Sequence, residues 1–214
     1  VYQYLGGQAW RDCGSPDSAN SVSVLAEFQG RLYAGTARYR LRGSSLPESE
    51  NSSLGGRVFR YEGDGRCTPC GKLGDSEALN GLVVYRGSLY ASSTYSPGVY
   101  RYANGENWES IGTPAGRRVE ALTVFEDALW GGGYDAAEVY RYTPEDGWKT
   151  DTALPDNTQT YGFGILRGQL HVGTWPSGRV FRRKDDSSWK DTGRLGEEKE
   201  VMPLAYYQGA LWAG

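Results

Sequence analysis

The chain has 214 residues, with 23 Lys and Arg against 26 Asp and Glu, one His, 31 Gly, 16 Tyr and 7 Trp. A formal charge of −3 excludes the basic stripe of a typical nucleic-acid binder, and no apolar run approaches the 18 or so residues that span a bilayer. The length suits one domain or one closed repeat array; with no initiator Met and no signal peptide, a mature or trimmed piece is expected.

The chain opens on VYQY at Val1, followed by Trp10. GRLYAG from Gly30 begins a phrase that returns as GSLYAS at Gly87, DALWGG at Asp127, GQLHVG at Gly168 and GALWAG at Gly209. These starts lie 57, 40, 41 and 41 residues apart. The opening VYQY belongs to a second phrase, seen as GRVFRYE at Gly56, GVYRYA at Gly98, EVYRYT at Glu138 and GRVFRRK at Gly178. Each repeat reads as four runs of 4–7 residues bounded by Gly, Pro, Asp or Asn, the signature of short strands. In the third full repeat the first strand is VEALTVF over 119–125, and Trp148 opens the fourth. No segment sustains a 3.6-residue period, so almost no helix is expected.

Repeats of this length predict an all-β fold, a five-bladed β-propeller of four-stranded antiparallel blades. The blades fall at about 15–71, 72–112, 113–152 and 153–193. Residues 194–214 would join 1–14 as the fifth, so that one domain over 1–214 closes by pairing of the N- and C-terminal strands and leaves no open edge. The first strands carry small or slender residues at Val24, Gly81, Ala121, Gly162 and Pro203, where blades crowd together. Leu25, Leu82, Leu122, Phe163 and Leu204 lie one residue on and should fill the space between blades. The 16 extra residues of the first interval form an exposed loop between Thr36 and Gly55, with Arg38, Arg40 and Arg42 alternating at its start.

The three Cys are Cys13, Cys67 and Cys70. CTPC over 67–70 has the form of a redox or zinc motif, but one His supplies too few further ligands. In the repeat alignment Cys67 takes the slot of Trp10, Trp108, Trp148 and Trp189, while Cys13 and Cys70 share another; structural cysteines are expected, with a disulfide open. His171 stands where other repeats have Tyr33, Tyr90, Trp130 and Trp212, and reads as a packing residue. The third-strand Arg60, Arg101, Arg141 and Arg182 repeat too regularly for one catalytic constellation. Asn51-Ser52-Ser53 is a sequon, which together with the exposed loop suggests a secreted protein.

The loops joining second to third strands present Tyr39, Tyr95, Tyr134 and Trp175. The first strands are headed by Asn80, Glu120 and Tyr161, among equivalents that include Ser23 and Met202. Aromatic faces ringed by polar groups suit sugars and equally suit a protein ligand. There is no G-x-S-x-G elbow, phosphate-cradling Gly loop or metal-ligand cluster. Glu120 and Asp135 could approach each other across the top face as a carboxylate pair of the kind glycoside hydrolysis uses.

With the G-x-L-Y-A phrase, the fourth-strand Trp and the fivefold count, the chain resembles the five-bladed tachylectin-like lectins; kelch-like and other bacterial propellers share such phrases. The resemblance implies N-acetylated sugars as ligand class. The expectation is thus a non-catalytic, lectin-like module, a monomer without cofactor, nucleic-acid or membrane partner. It would bind a glycan or protein through Tyr39, Tyr95, Tyr134, Trp175, Asn80, Glu120 and Tyr161. The alternatives are a protein-interaction scaffold on the same face and, third, a glycoside-active enzyme.

Overall fold

The computed structural model describes residues 1–37, 55–93 and 96–214. They form twenty strands, and two 3-10 turns at Pro16–Ser18 and Pro114–Gly116 are the helical elements among them. Two compact units result, one of residues 1–96 and 100–110, the other of 97–99 and 111–214.

The first unit holds the hairpin β1 (Tyr2–Gly6) and β2 (Ala9–Asp12), and two four-stranded sheets. The first sheet runs β3 (Ser21–Phe28), β4 (Arg31–Ala37), β5 (Arg57–Gly63), β6 (Arg66–Lys72). The second runs β7 (Leu79–Tyr85), β8 (Ser88–Ser93), β9 (Val99–Asn104), β10 (Asn107–Ser110). In the second unit one sheet comprises β11 (Val119–Phe125), β12 (Ala128–Gly133), β13 (Glu138–Thr143) and β14 (Gly147–Ala153). Another comprises β15 (Gln159–Leu166), β16 (Gln169–Trp175), β17 (Arg179–Arg183) and β18 (Trp189–Arg194), and the hairpin β19 (Leu204–Tyr207), β20 (Ala210–Ala213) follows. Every strand pairs antiparallel with its neighbour in sequence, which is the meander a propeller blade requires. The predicted strand over 119–125 is β11, residue for residue.

The turn chemistry explains the regularity. Both residues of each first-to-second-strand turn have positive φ: Gln29-Gly30, Arg86-Gly87, Glu126-Asp127, Arg167-Gly168 and Gln208-Gly209. Paired positive φ defines the type I′ hairpin, whose twist matches that of the strands. The repeated glycine in the sequence phrase is this second turn residue.

Each unit has its own core. In the first, Phe28, Tyr33, Val58, Cys70, Leu73, Leu79, Leu82 and Leu89 are buried, with Tyr102 and Trp108 packed on them. In the second, Trp130, Val139, Leu154, Leu170, Val172 and Phe181 are buried. His171 is buried among strand neighbours, its Nδ1 3.0 Å from the Gln169 carbonyl, and burial pushes its pKa down. The third-strand arginines make local contacts: Arg60 pairs with Glu62 at 2.7 Å, Arg101 with Glu109 at 2.5 Å, and Arg182 donates to Gln169 at 2.9 Å.

Consecutive sheets meet at backbone distance. A Cβ at Gly162 would lie 2.1 Å from the Met202 carbonyl oxygen, and one at Gly173 would lie 2.3 Å from that of Val201. At Gly164 the Leu204 and Leu211 side chains fill the space a Cβ would need, so Leu204 packs between sheets as the size pattern implied. Leu25 does not follow the pattern. It is 48 % exposed, because its neighbouring sheet is the hairpin β1–β2 alone. A cavity of about 560 Å³, lined by Val1, Tyr2, Ser21, Val24 and Leu25 among others, opens there.

Within each unit one fourth strand is tied to the next. The Trp108 indole N–H donates to the Cys70 carbonyl at 2.6 Å, and that of Trp189 to the Asp151 carboxylate at 2.7 Å. Both acceptors lie 38 residues before their donors. Third-strand and fourth-strand rings also stack within a sheet, Tyr102 on Trp108 at 5.0 Å and Tyr142 on Trp148 at 5.2 Å.

Gly162→Ala should therefore destabilise the protein by about 2 kcal/mol, because a carbonyl and not a flexible side chain must yield. Thermal unfolding should show a fall in Tm of roughly 4–8 °C; an unchanged Tm would mean that β15 and residue 202 do not approach so closely.

Candidate functional site

At one end of the second unit, three segments bring polar side chains together: the head of β11, the loop after β12 and the head of β15. First strands start at this end and second strands finish there, so the antiparallel meander alone places them side by side. Buried Thr160 fixes their spacing. Its hydroxyl donates to the Glu138 carbonyl at 3.0 Å and accepts from the Gly133 N–H at 2.7 Å. The Gly162 N–H donates to the Met202 carbonyl at 2.8 Å, which draws the segment carrying Glu200 alongside.

Arg118 and Asp135 are locked together. The guanidinium Nε donates to Asp135 Oδ1 at 2.8 Å and Nη2 to the same oxygen, while the Arg118 backbone N–H donates to Oδ2 at 2.8 Å. Hydrogen bonding to Arg118 holds the Asp135 carboxyl below its usual range, and the same pair raises the arginine pKa. The guanidinium carbon also lies 4.3 Å from the centre of the Tyr134 ring, a cation–π arrangement. Glu120, only 6 % exposed, heads β11 and adds its charge to the field at Arg118.

Tyr161 stands on the neighbouring strand. Its hydroxyl donates to Gln159 Oε1 and lies beside the Glu200 carboxylate. Burial comes first in pushing the Tyr161 pKa well above the ordinary phenol value, followed by the hydrogen bond and charge of Glu200 and the charge of Glu120. The phenol therefore keeps its proton throughout the physiological range. Tyr140, whose hydroxyl donates to Glu138 Oε2 at 2.6 Å, is raised in the same way, burial again leading. Arg117 sits 4.0 Å from the same Glu138 oxygen.

Of the residues singled out from the sequence, Tyr134, Glu120 and Tyr161 are brought together here. Trp175 ends β16 opposite Gln159, 37 % exposed, at the same end of its sheet. Asn80 belongs to the first unit, half-buried in β7. Tyr39 and Tyr95 lie outside the described residues, as do the sequon and the Arg38–Arg42 strip. Asp135, weighed as a partner for Glu120, is bound to Arg118 instead. Arg118, Gln159 and Glu200 were missed. Arg118 had a visible signal, lying two residues before Glu120 and so on the same face at the head of one strand. Glu200 had none, since it lies outside any strand. Among the described residues no group of three or more His, Cys, Asp or Glu could hold a metal ion.

These sheets define a propeller-type all-β fold, and known structures agree. The structure is similar to a streptogramin B lyase, with TM-score 0.74 and 15 % identity, over 97 % of this chain and 66 % of that one. It is also similar to virginiamycin B lyase from Staphylococcus aureus, with TM-score 0.66 and 14 % identity, over 92 % and 78 % of the two chains. A third likeness is to the extracellular domain of a putative hybrid two-component system from B. thetaiotaomicron, with TM-score 0.60 and 16 % identity, over 100 % and 34 %. The chain thus spans about two thirds of the streptogramin B lyase and about a third of the two-component protein's domain. No family model matches the chain, and no curated protein does. At these identities the likeness establishes the fold.

The lectin-like, non-catalytic module expected from the sequence is corrected by these findings. The similar structures include lyases, which are enzymes, and the tachylectin-like assignment finds no support among them. The physical reason lies in the aromatic residues. Tyr134 is covered by Arg118, and Tyr161 is half-buried with its hydroxyl engaged, so neither offers the open ring face that sugar stacking needs. No helix among the described residues is long and apolar enough to cross a membrane.

The Arg118–Asp135 pair has a pH signature. A carboxyl held below its unfolded pKa contributes stability above that pKa, and the contribution is lost as pH falls through the folded value. Asp135→Asn should cost about 1 kcal/mol at pH 7, discounted for partial exposure. The difference from wild type should shrink as pH falls below the ordinary carboxylate range. Urea unfolding at pH 7 and pH 3 checks this; an equal deficit at both would place the effect elsewhere than in the ion pair.

Proposed function

We propose that this end of the second unit is the active site of an enzyme that works by acid–base chemistry without a histidine, and that its reaction is an elimination of the lyase type. The observation that carries the reading is the pairing of a nearly buried carboxylate, Glu120, with a phenol held protonated, Tyr161, on adjacent first strands. A carboxyl group set beside a phenol that stays neutral offers a base and an acid at one site. The lyase neighbours suggest the reaction class. One of them is a catalytically inactive histidine-to-alanine variant of virginiamycin B lyase with quinupristin. This chain has a single His, and it is buried at the other end of β16, so the proton transfers fall to Glu120 and Tyr161.

In the proposed step Glu120 takes a proton from carbon as the bond from the adjacent carbon to the leaving oxygen breaks. A double bond forms, and Tyr161 donates its proton to the departing oxygen. Solvent exchange returns a proton from Glu120 to the tyrosinate. Arg118, held rigid by Asp135 and Tyr134, contributes positive charge at the rim without changing protonation state, which is what preorganised electrostatic stabilisation requires. Trp175 would bound the substrate on the β16 side.

The test uses quinupristin and a simple β-acyloxy ketone as substrates in ¹⁸O-labelled water. The expected result is cleavage of one of them without label, with kcat/KM reduced about 10²–10⁴-fold in Glu120→Gln and in Tyr161→Phe. Incorporation of label would mean hydrolysis, and cleavage of neither compound, or rates indifferent to both substitutions, would also overturn the reading.

For the fold we infer that the two hairpins are halves of one blade, making five in a closed ring. In the complete sheets the second and third strands pair as Tyr33↔Arg60, Trp130↔Arg141 and His171↔Arg182. The equivalent pairs are Trp212↔Gln3 and Ala213↔Tyr2. Tyr33, Trp130 and His171 are 7 % exposed or less, whereas Trp212 is 60 % and Trp10 62 % exposed. Each hairpin thus shows the surface that the missing strands of a blade cover. With the native cysteines replaced by Ser, Tyr2→Cys/Ala213→Cys should cross-link within one chain on mild oxidation. A monomer with both thiols free, or cross-linked dimers alone, would reject the closed ring. A secreted location accords with the extracellular neighbour.

A further inference from the structure

We infer that Cys13 and Cys67 form a redox-dependent disulfide that staples β2 to β6, with Cys70 left as a buried thiol. The argument comes from the way consecutive fourth strands meet. In two sheets the fourth-strand Trp reaches the residue three places beyond the equivalent Trp slot of the preceding sheet: Trp108 reaches Cys70, and Trp189 reaches Asp151, whereas the buried Trp148 indole N–H has no such acceptor. In the blade formed by β3–β6 the Trp slot holds Cys67, and the residue it faces on the preceding hairpin is Cys13.

Local contacts place the same residues together. Tyr61 is the direct cross-strand partner of Cys67, and opposed residues on antiparallel strands point to one face about 5 Å apart. The Cys13 thiol donates to the Arg11 carbonyl at 3.8 Å, just as the Cys70 thiol donates to the Thr68 carbonyl at 3.6 Å, and each thiol helps raise the pKa of the phenol in the matching place, Tyr61 for Cys13 and Tyr102, the partner of Trp108, for Cys70. The Cys13 chain also runs against the β5–β6 turn, where a Cβ at Gly14 would be 3.3 Å from the Gly65 carbonyl oxygen. Cys13 is therefore to Tyr61 and Cys67 what Cys70 is to Tyr102 and Trp108. The difference is that an indole has been replaced by a second thiol. No disulfide joins any of the three cysteines in this structure.

Cys67 is the more accessible of the pair, half-buried against 5 % exposure for Cys13. With a small-molecule disulfide such as oxidised glutathione as oxidant, the Cys67 thiolate attacks one sulfur and expels one glutathione thiolate. The Cys13 thiolate then attacks Cys67 in the mixed disulfide and expels the second, so that two protein thiols are oxidised and one glutathione disulfide is reduced. Burial raises the Cys67 pKa, so the exchange should quicken as pH rises from 7 toward 9. The CTPC pair is the competing geometry. Cys67 and Cys70 lie three residues apart along one strand, roughly 10 Å at ordinary rise, beyond the Cα separation a disulfide spans.

The experiment is equilibration of the native chain in glutathione buffers, followed by alkylation, thiol counting and peptide mapping. The expected outcome is a fall from three free thiols to one, a cross-linked peptide joining Cys13 to Cys67, and a rise in Tm on the order of 10 °C that dithiothreitol reverses. Cys70→Ser should keep the cross-link, and Cys13→Ser should abolish it. Three thiols remaining under fully oxidising buffer, or a Cys67–Cys70 cross-link in the native chain, would overturn the assignment.

Discussion

Consecutive sheets approach one another at the distance of a backbone carbonyl from a bare Cα, and much else in each unit follows from that closeness. At Gly162 and Gly173 no side chain fits, because the Met202 and Val201 carbonyl oxygens occupy the space. The carbonyl that excludes a Cβ at Gly162 also accepts that residue's N–H, so the approach is held by a hydrogen bond as well as by packing. This registration sets the head of β15 beside the chain bearing Glu200, and Thr160 sets it against the loop bearing Tyr134 and Asp135. Side chains separated by some 40 residues in sequence thereby share one polar rim. The site is a product of sheet spacing more than of loop conformation.

That origin explains what could be read from the chain alone. Strand number, order and turn positions were legible because they repeat, and four of the five type I′ turns put Gly at the same place. The inner small residues were legible for a similar reason, since one steric rule acts at every junction. Leu25 was misjudged because the pattern assigns it a full neighbouring sheet, while its neighbour in the first unit is a two-stranded hairpin. Glu120 and Tyr161 stood out as strand heads. Their chemistry did not, because the direction of a pKa shift depends on burial and on Glu200, which no periodicity points to. The aromatic residues misled in a specific way. A Tyr near a loop end reads as a stacking platform until its face is seen to be covered, as Arg118 covers that of Tyr134.

The cysteines show the opposite case, where repetition carried information that a local motif obscured. CTPC invites attention to Cys67 and Cys70 together, yet they occupy different structural slots, one facing back to the preceding strand set and one facing forward under Trp108. Burial of Cys70 beneath that Trp, with the Tyr102 phenol pushed up to about 12 chiefly by desolvation, marks a packed interior position.

The indole tether between fourth strands also has a direction. In both cases the acceptor precedes its donor by 38 residues, so on a ribosome, where the N-terminal part emerges first, each of these acceptor strands exists before the Trp that will grip it. Within each unit the later sheet therefore meets a finished template, and that junction can be laid down in the order of its synthesis.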